Sequence, residues 1–196
     1  MAPRKTIHQT MILDGAISVM EQLGYEKLSV RNIANQLKIS TQPIYTEFKN
    51  IEDLKQHLVK YIQNNYLQQP KKTYKDFALC YLYFAKEHKE LFKFLYLRKR
   101  NGMKELDDIN YELAISFLAE SLDLDTKIAK DLHQRMQIYC YSLGVMIATD
   151  YQEYSYDQIN TELSHIFRIM LSYYKQITNE QDFGYWLDKT HHLYYK

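Results

Sequence analysis

The sequence predicts an all-α protein with a small N-terminal helical domain and a larger C-terminal one. Apolar residues recur at i, i+3, i+4 and i+7 through almost every segment, and no segment alternates as a strand would. The 196 residues include only 5 Gly and 3 Pro, and 46% are hydrophobic. A chain of this length and composition can bury a well-packed core.

The first helix carries one apolar face, and Gly24 follows where a left-handed C-terminal cap is expected. The residues expected to be buried are Ile7, Met11, Ile12, Ala16, Val19, Met20 and Leu23.

A second helix and a third helix follow in close succession. Ser29 is suited to N-cap the second helix, and the segment Lys38-Ile39-Ser40 breaks the pattern. Ser40 offers the next N-cap, and the third helix extends to Phe48. These short helices and their tight turn are typical of a helix-turn-helix. Its predicted core consists of Val30, Ile33, Ala34, Leu37, Ile39, Ile44 and Phe48.

The core leaves a polar set facing outward from the third helix. Such side chains can hydrogen-bond phosphates and base edges. They are Thr41, Gln42, Tyr45, Thr46 and Lys49.

A fourth helix begins after Asn50 as N-cap and extends to about Gln69, where Pro70 and a lysine pair interrupt it. The predicted division is therefore a helix-turn-helix domain over 1–50, a connecting helix over 51–69 and a second domain over 70–196. That domain is expected to hold helices near 73–87, 89–99, 103–122, 126–150, 156–177 and 180–193. Ser155 with Gln158, and Thr178 with Gln181, have capping-box spacing at the last two starts.

Composition narrows the class of protein. A formal net charge of +1 does not by itself indicate a nucleic-acid partner. Cys80 and Cys140 have no CxxC spacing and cannot form a disulfide framework, which fits a reducing compartment. Neither a signal peptide nor a stretch of about 18 apolar residues is visible, so we expect a cytoplasmic protein without membrane contact.

Two long helices in the second domain carry apolar series that could form a dimer interface or be buried within one protomer. The periodicity alone does not choose between the two. The series are Ile128, Leu132, Met136, Tyr139, Leu143 and Met146 on one helix, and Ile159, Leu163, Ile166, Met170 and Tyr173 on the other.

Aromatic residues with hydroxyl tips suggest a pocket for a small apolar or aromatic ligand, although aromatic stripes at helical spacing also build ordinary cores. The candidate ligand-binding residues are Tyr81, Phe84, Tyr96, Tyr111, Phe117 and Tyr139.

The segment LSVRNIANQLKISTQPIYTEFKNIEDL resembles the signature of TetR-family transcriptional regulators. The matching positions cover a region from about residue 7 to 62 and are Ile33-Ala34, Ile39-Ser40, Ile44-Tyr45, Phe48 and Asp53-Leu54. The resemblance implies a homodimer in which two paired helices of each subunit form the interface and the helix-turn-helix binds double-stranded operator DNA.

Carried over by position, the resemblance implies that Tyr45 contacts a phosphate and that Thr41, Gln42 and Thr46 face the major groove. It implies that Arg31 on the second helix reaches a guanine or a phosphate. Lys49 is expected to substitute in part for a missing phosphate contact, and Ser29, before the second helix, is counted among the DNA-binding residues. The resemblance also makes Arg4 and Lys5 a short basic arm near the minor groove. In the alternative interpretation, Arg31 and Lys49 are solvated charges and Tyr45 is a packing residue.

Three positions depart from the family pattern. Lys38 replaces a common turn glycine, Glu47 replaces a common His or Tyr and should repel a phosphate, and Ile51 replaces a lysine. The amide groups at the start of the fourth helix could still bind a phosphate.

We therefore expect a ligand-responsive repressor that binds a near-palindromic operator as a dimer and uses no cofactor, metal or catalytic residue. Two alternatives remain: a regulator without a small-molecule inducer, and a helical enzyme whose N-terminal motif is structural. Glu162 and His165 form one Glu-x-x-His unit, of which a di-iron bundle needs two. Two pairs could contribute metal ligands, Asp53 with His57 and His191 with His192. Neither pair has enough ligands for a closed metal site, and we interpret these histidines as exposed side chains.

Overall fold

A computed structural model describes residues 7–98 and 110–191, which form helices without a β-strand in those two ranges. No helix within these ranges combines the length and apolarity that crossing a bilayer requires. The helices are α1 Gln9–Leu23, α2 Val30–Leu37, α3 Gln42–Glu47, α4 Ile51–Ile62, α5 Tyr74–Glu87, α6 Lys89–Tyr96, α7 Tyr111–Leu122, α8 Thr126–Ala148, α9 Tyr156–Lys175 and α10 Glu180–Lys189.

Several sequence-based expectations concern residues outside the described ranges. The basic arm at Arg4 and Lys5 is one, and His192 is another. The helices expected over 103–122 and 180–193 are described only as α7 and α10.

The helix α1 buries the predicted face against α2 and α4. Ile12, Ala16, Val19 and Met20 are fully buried, but the prediction for Leu23 is wrong because its side chain is 57% exposed. The chain turns away immediately after Leu23, at Gly24. That glycine has φ +90° and ψ 148°, so the positive φ is confirmed but the conformation is not left-handed helical.

The turn between α2 and α3 is built without glycine. Ser29 N-caps α2 by accepting a hydrogen bond from the Asn32 amide, as predicted. Lys38 takes the left-handed conformation, φ 55° and ψ 45°, in which a side chain is disfavoured. The predicted cap at Ser40 is wrong: Thr41 precedes α3 without a side-chain cap, and Pro43 in the first turn supplies a preset φ.

The helix α4 connects the N-terminal helices to the rest of the molecule. Asn50 caps it by accepting a 2.9 Å hydrogen bond from the Asp53 amide, as predicted. The helix expected to extend to about Gln69 is α-helical only to Ile62 and then continues as a π-helical turn over Gln63–Leu67. The amide of Gln68 closes this turn on the carbonyl of Gln63 at 2.9 Å.

Two groups of buried residues hold the molecule together. A first core runs continuously from α1–α4 into α5, α6, α8 and the N-terminal half of α9. A second core lies among α7, the N-terminal half of α8 and the C-terminal half of α9, with α10 packed on its edge. The cap of α9 by Ser155 and Gln158 is confirmed, whereas the cap predicted at Thr178 is wrong because Asn179 accepts from the Asp182 amide instead.

The apolar series of the two long helices are divided between the inside and the outside of the protomer. Leu132, Met136, Leu143, Ile159 and Leu163 are buried inside it. Tyr173 is 75% exposed, together with two residues that were not in the predicted series, Ile138 at 62% and Ile169 at 52%.

Candidate DNA-binding face and candidate ligand cavity

The helix α3 has one buried face and one polar face. Ile44 and Phe48 are 1% and 2% exposed, and they anchor the helix in the first core. The residues predicted to face outward are all exposed: those on the helix follow its period once Ile44 points inward, whereas Thr41 and Lys49 lie just outside its two ends. These residues are Thr41, Gln42, Tyr45, Thr46 and Lys49.

The exposed side chains of α3 and its flanking residues differ in how many of their hydrogen-bonding groups are already used within the protein. Tyr45 is 57% exposed. The Thr46 hydroxyl donates to the Gln42 carbonyl at 3.1 Å, which leaves its oxygen as an acceptor. On α2, Arg31 is exposed, and Ser29 is half-buried with its hydroxyl oxygen engaged as the cap.

The positions that depart from the family pattern are Lys38, Glu47 and Ile51. Lys38 and Glu47 are exposed, whereas Ile51 is half-buried against the first core. At the start of α4, the Asp53 carboxylate accepts from the Lys49 amide at 2.9 Å and Asn50 takes the Asp53 amide. The chain's own side chains thus occupy part of the amide cluster that was expected to bind a phosphate.

A cavity of about 230 Å³, partly open to solvent, lies between α5 and α8 next to the π-helical turn. Its wall is mostly aromatic and apolar, with phenol, imidazole, carboxamide and thiol groups among the described residues. The lining residues are Gln63, Leu67, Tyr74, Phe77, Ala78, Cys80, Tyr81, Tyr96, Asn110, His133, Met136, Gln137, Cys140 and Tyr141.

The cavity includes two of the six residues predicted to bind a ligand, Tyr81 and Tyr96. Phe84 is buried in the first core, and Phe117 lies in the second core with Tyr111 packed against it. Tyr139 donates its hydroxyl hydrogen to Glu162 at 2.8 Å. None of these four side chains lines the cavity.

Several lining residues were not singled out from the sequence. Tyr74 and His133 are each 5% exposed, and the Tyr74 hydroxyl is hydrogen-bonded to His133 Nδ1 at 2.8 Å. The helical spacing between Phe77, Cys80 and Tyr81 marks one face of α5, but only the packing of α5 on α8 shows that this face encloses a space.

The cavity and the N-terminal helices are connected by α6. Tyr96, at the C-terminal end of α6, packs its ring against Tyr81 with the ring centroids 5.1 Å apart. At the other end, Glu90 accepts a 2.8 Å hydrogen bond from the Tyr25 amide. Burial opposes ionisation of Glu90, but the hydrogen bonds from Lys93 and from the Tyr25 amide outweigh it, so the pKa of Glu90 lies below its ordinary value.

Two of the residues considered for metal chemistry, Glu162 and His57, are hydrogen-bonded within the protein. Glu162 accepts from Tyr139, and His165 is exposed. His57 Nδ1 lies 2.9 Å from the carbonyl oxygen of Asp53. Within residues 7–98 and 110–191, no three His, Cys, Asp or Glu side chains are grouped to hold a metal ion.

The helices α1 and α2 pack behind the exposed polar α3, and a larger helical body follows; this is the arrangement of a helix-turn-helix domain joined to a second helical domain. Residues 12–58 match the model of the family described as bacterial regulatory proteins, tetR family. The N-terminal helices are therefore similar to those of TetR-family regulatory proteins, and the match covers about a quarter of the chain.

Solved structures share the fold across almost the whole chain. A variant of TetR from Acinetobacter baumannii AYE, in complex with minocycline, is 16% identical with a TM-score of 0.62, and the match covers 89% of this chain and 100% of that one. A TetR-like transcriptional regulator from Rhodococcus sp. RHA1 is 15% identical with a TM-score of 0.60, covering 90% and 97%. Comparison with curated protein sequences gives no significant match.

Proposed function

We propose that this protein is a ligand-responsive repressor that binds a near-palindromic operator as a homodimer. It would bind DNA through α3 and release it when a small molecule occupies the cavity between α5 and α8. The observation that carries the proposal is the polar surface on and next to α3: Gln42, Tyr45 and Thr46 on the helix and Thr41 and Lys49 at its ends are exposed, beside a buried apolar face.

Roles on the DNA face follow from side-chain chemistry. Tyr45 and Lys49 suit phosphate oxygens, whereas Gln42 and Arg31 can read base edges with paired hydrogen bonds. Thr41 and Thr46 offer hydroxyl groups next to Gln42, and Ser29 lies beside Arg31. Glu47 is exposed on the same short helix and would disfavour a phosphate nearby.

A dimer surface is proposed on the outer side of α8 and α9. The two helices run antiparallel, because Tyr139 contacts Glu162 and Arg135 contacts Tyr174. This arrangement places the exposed apolar side chains of Ile138 and Ile169 on adjacent stretches. Isolated exposed apolar residues are ordinary, but a group of them on paired helices is typical of an interface.

The cavity is proposed as the ligand site. Its mostly aromatic wall with a few hydrogen-bonding groups is the usual character of a small-molecule site. The TetR variant from A. baumannii that shares the fold is a complex with minocycline, which supports ligand binding by this architecture.

Coupling to the DNA face is proposed through α4 and α6. Gln63 and Leu67 of the π-helical turn line the cavity, and the helix preceding that turn begins beside α3. The helix α6 contacts the cavity through Tyr96 and the turn after α1 through Glu90. A ligand that binds one arrangement of these helices better than another would change the distance between the two helix-turn-helix domains of the dimer.

The test is genome-wide footprinting, followed by salt-titrated binding of variants to the best site. Lys49→Ala and Tyr45→Phe should weaken binding to all sequences alike, and loss of the Lys49 charge should lower the salt slope by about one. Gln42→Ala and Arg31→Ala should cost about 1–3 kcal/mol on the operator and little on random DNA. Half-site centres are expected at multiples of about 10 base pairs.

The matched control is Lys60→Ala, which removes an exposed positive charge from α4 outside the proposed face. If no site is enriched, and the four face variants bind DNA as the wild type does, the helix pair has only a structural role and the proposal fails.

A further inference from the structure

The chain contains two cysteines, and both line the same cavity. Cys80 is on α5 and is half-buried, whereas Cys140 is on α8 and is 7% exposed. Contacts on either side establish how the two helices are aligned: Tyr74 is bonded to His133, and a Cβ built on Gly144 would lie 2.9 Å from the Tyr81 ring. The helices therefore run parallel here, and Cys80 and Cys140 lie at matching levels across the cavity.

Cys80 also contacts the segment that continues the helix α4. Its thiol donates to the carbonyl oxygens of Tyr66 and Leu67, at 3.5 and 3.6 Å. Both carbonyls belong to the π-helical turn, and Leu67 lines the cavity as well. The Leu67 carbonyl accepts a second hydrogen bond, from the ammonium group of Lys71 at 3.1 Å. One side of the sulfur is therefore in contact with the backbone that connects the cavity to the DNA-binding domain.

We propose that Cys80 is a covalent modification site for small planar electrophiles of the α,β-unsaturated carbonyl class. The cavity supplies two requirements for such a reagent. Aromatic side chains, among them Phe77, Tyr81 and Tyr96, can pack on a flat ring, and the carboxamide of Gln137 and the phenol–imidazole pair can hydrogen-bond a carbonyl oxygen. A cavity of about 150 Å³ accommodates benzene, so a cavity of about 230 Å³ can accommodate a somewhat larger ring compound.

The reaction is an addition that needs no oxidant. The thiol gives up its proton to water, which reaches the partly open cavity, and a sulfur electron pair forms a bond to the β-carbon of the reagent. The electron pair of the carbon–carbon double bond shifts to a new double bond between the α-carbon and the carbonyl carbon, and the carbonyl π pair moves onto the oxygen. The resulting enolate takes up a proton from water at its α-carbon. Burial raises the pKa of the Cys140 thiol to about 12, so very little of it is present as the nucleophilic thiolate, and its side chain is only 7% exposed.

The adduct would change the end of α4. A sulfur that carries a carbon substituent no longer has a hydrogen to donate to the Tyr66 and Leu67 carbonyls, and the added group must occupy the cavity next to Gln63. The π-helical turn then loses part of its stabilisation. That this change weakens operator binding rests on the proposed function, whereas the modification itself does not.

The experiment compares N-phenylmaleimide, a planar aromatic probe, with N-ethylmaleimide on the native full-length protein. Intact mass and peptide mapping follow the adduct over time. We expect modification at Cys80 before Cys140, at a rate that saturates with N-phenylmaleimide concentration. The ratio of the rate with N-phenylmaleimide to the rate with N-ethylmaleimide should be about tenfold greater for Cys80 than for free N-acetylcysteine. Saturation distinguishes reaction inside a binding site from reaction of an exposed thiol.

Two variants serve as controls. Cys80→Ser keeps a donor for the backbone carbonyls and should take up no probe at position 80, and Cys140→Ser should react as the wild type does. Modified wild type should bind the footprinted operator about tenfold more weakly, whereas Cys80→Ser treated with the same probe should keep its affinity.

The outcomes separate this inference from the proposed function. A rate linear in probe concentration with no aromatic preference, or labelling of Cys80 only after unfolding, overturns the modification site. Labelling of Cys80 with unchanged operator affinity overturns its regulatory role. Failure to find an operator defeats the proposed function and leaves the labelling result standing.

Discussion

The backbone amide of Tyr25 donates a 2.8 Å hydrogen bond to the carboxylate of Glu90, although the two residues are 65 positions apart in the chain. The contact joins the turn after α1 to the first turn of α6. Nearby, His88 Nδ1 lies 2.7 Å from the carboxylate of Glu21 at the end of α1. Both contacts cross from the DNA-binding domain to the body that holds the cavity.

Removing the carboxylate of Glu90 should loosen the connection between the two domains. Glu90→Ala leaves the half-buried Tyr25 amide without this acceptor, and we expect a loss of about 1 kcal/mol in the free energy of unfolding. Glu90→Gln keeps an acceptor oxygen and should lose less. Urea titrations measure both variants, and equal losses would show that the contact to Tyr25 does not stabilise the fold.

The same carboxylate predicts a dependence of stability on pH. The pKa of Glu90 is lower in the folded protein than in the unfolded chain, so its contribution is present above the unfolded value and is lost as pH falls through the folded value. Wild type should therefore lose more stability than Glu90→Gln as pH drops below about 4.3, the ordinary glutamate pKa. Melting curves from pH 7 to pH 3 test this, and parallel losses in the two proteins would contradict it.

Gly144 allows α8 to approach the aromatic rings beneath it. A Cβ at this position would lie 2.9 Å from both the Phe92 and the Tyr81 rings. Gly144→Ala should therefore cost about 1–3 kcal/mol, because packed rings cannot move aside as a flexible side chain can. Gly184→Ala on α10 is the matched control, since nothing lies within 4 Å of its added Cβ. It should be neutral or stabilising, and thermal unfolding that ranks the two variants the other way would refute the packing argument.

Lys38 occupies a turn position at which the backbone conformation favours glycine. Its φ of 55° is a conformation that disfavours side chains. Lys38→Gly should raise the free energy of unfolding by about 0.5–1 kcal/mol, the relief of backbone strain being partly offset by the greater freedom of an unfolded glycine. Lys27→Gly, in the preceding turn at φ below zero, should lower it. Stabilisation by both substitutions would exclude backbone strain as the cause.

The proposed dimer surface can be tested at exposed positions only. Leu163 is 1% exposed, so a charged substitution there would unfold the protomer and would not report on association. Ile138→Asp with Ile169→Asp should give a helical monomer with weakened operator binding, because a charge disfavours an apolar interface. Leu23→Asp, at a side chain 57% exposed in the DNA-binding domain, is the control. Sedimentation equilibrium that gives the same mass for wild type and the double variant would argue against this surface.

The sequence by itself determined the elements with local causes. Helical periodicity marked α1 to α10, and the caps at Ser29, Asn50 and Ser155 follow from a side chain bonding to an amide a few residues away. The polar face of α3 was predictable for the same reason: once Ile44 and Phe48 are buried, the period of the helix decides which residues face outward.

Only the tertiary structure decided which apolar residues are core, surface or cavity wall. Periodicity treats Leu163 and Tyr173 alike, yet packing buries one and leaves the other exposed, because the neighbouring helix covers only part of the α9 face. Likewise, Phe117 and Tyr81 are both aromatic residues on helices, but only Tyr81 lines the cavity. The cavity exists because α5, α8 and the π-helical turn leave a space between them. Contacts between residues far apart in the chain, such as Tyr74 with His133 and Tyr25 with Glu90, leave no periodic trace in the sequence.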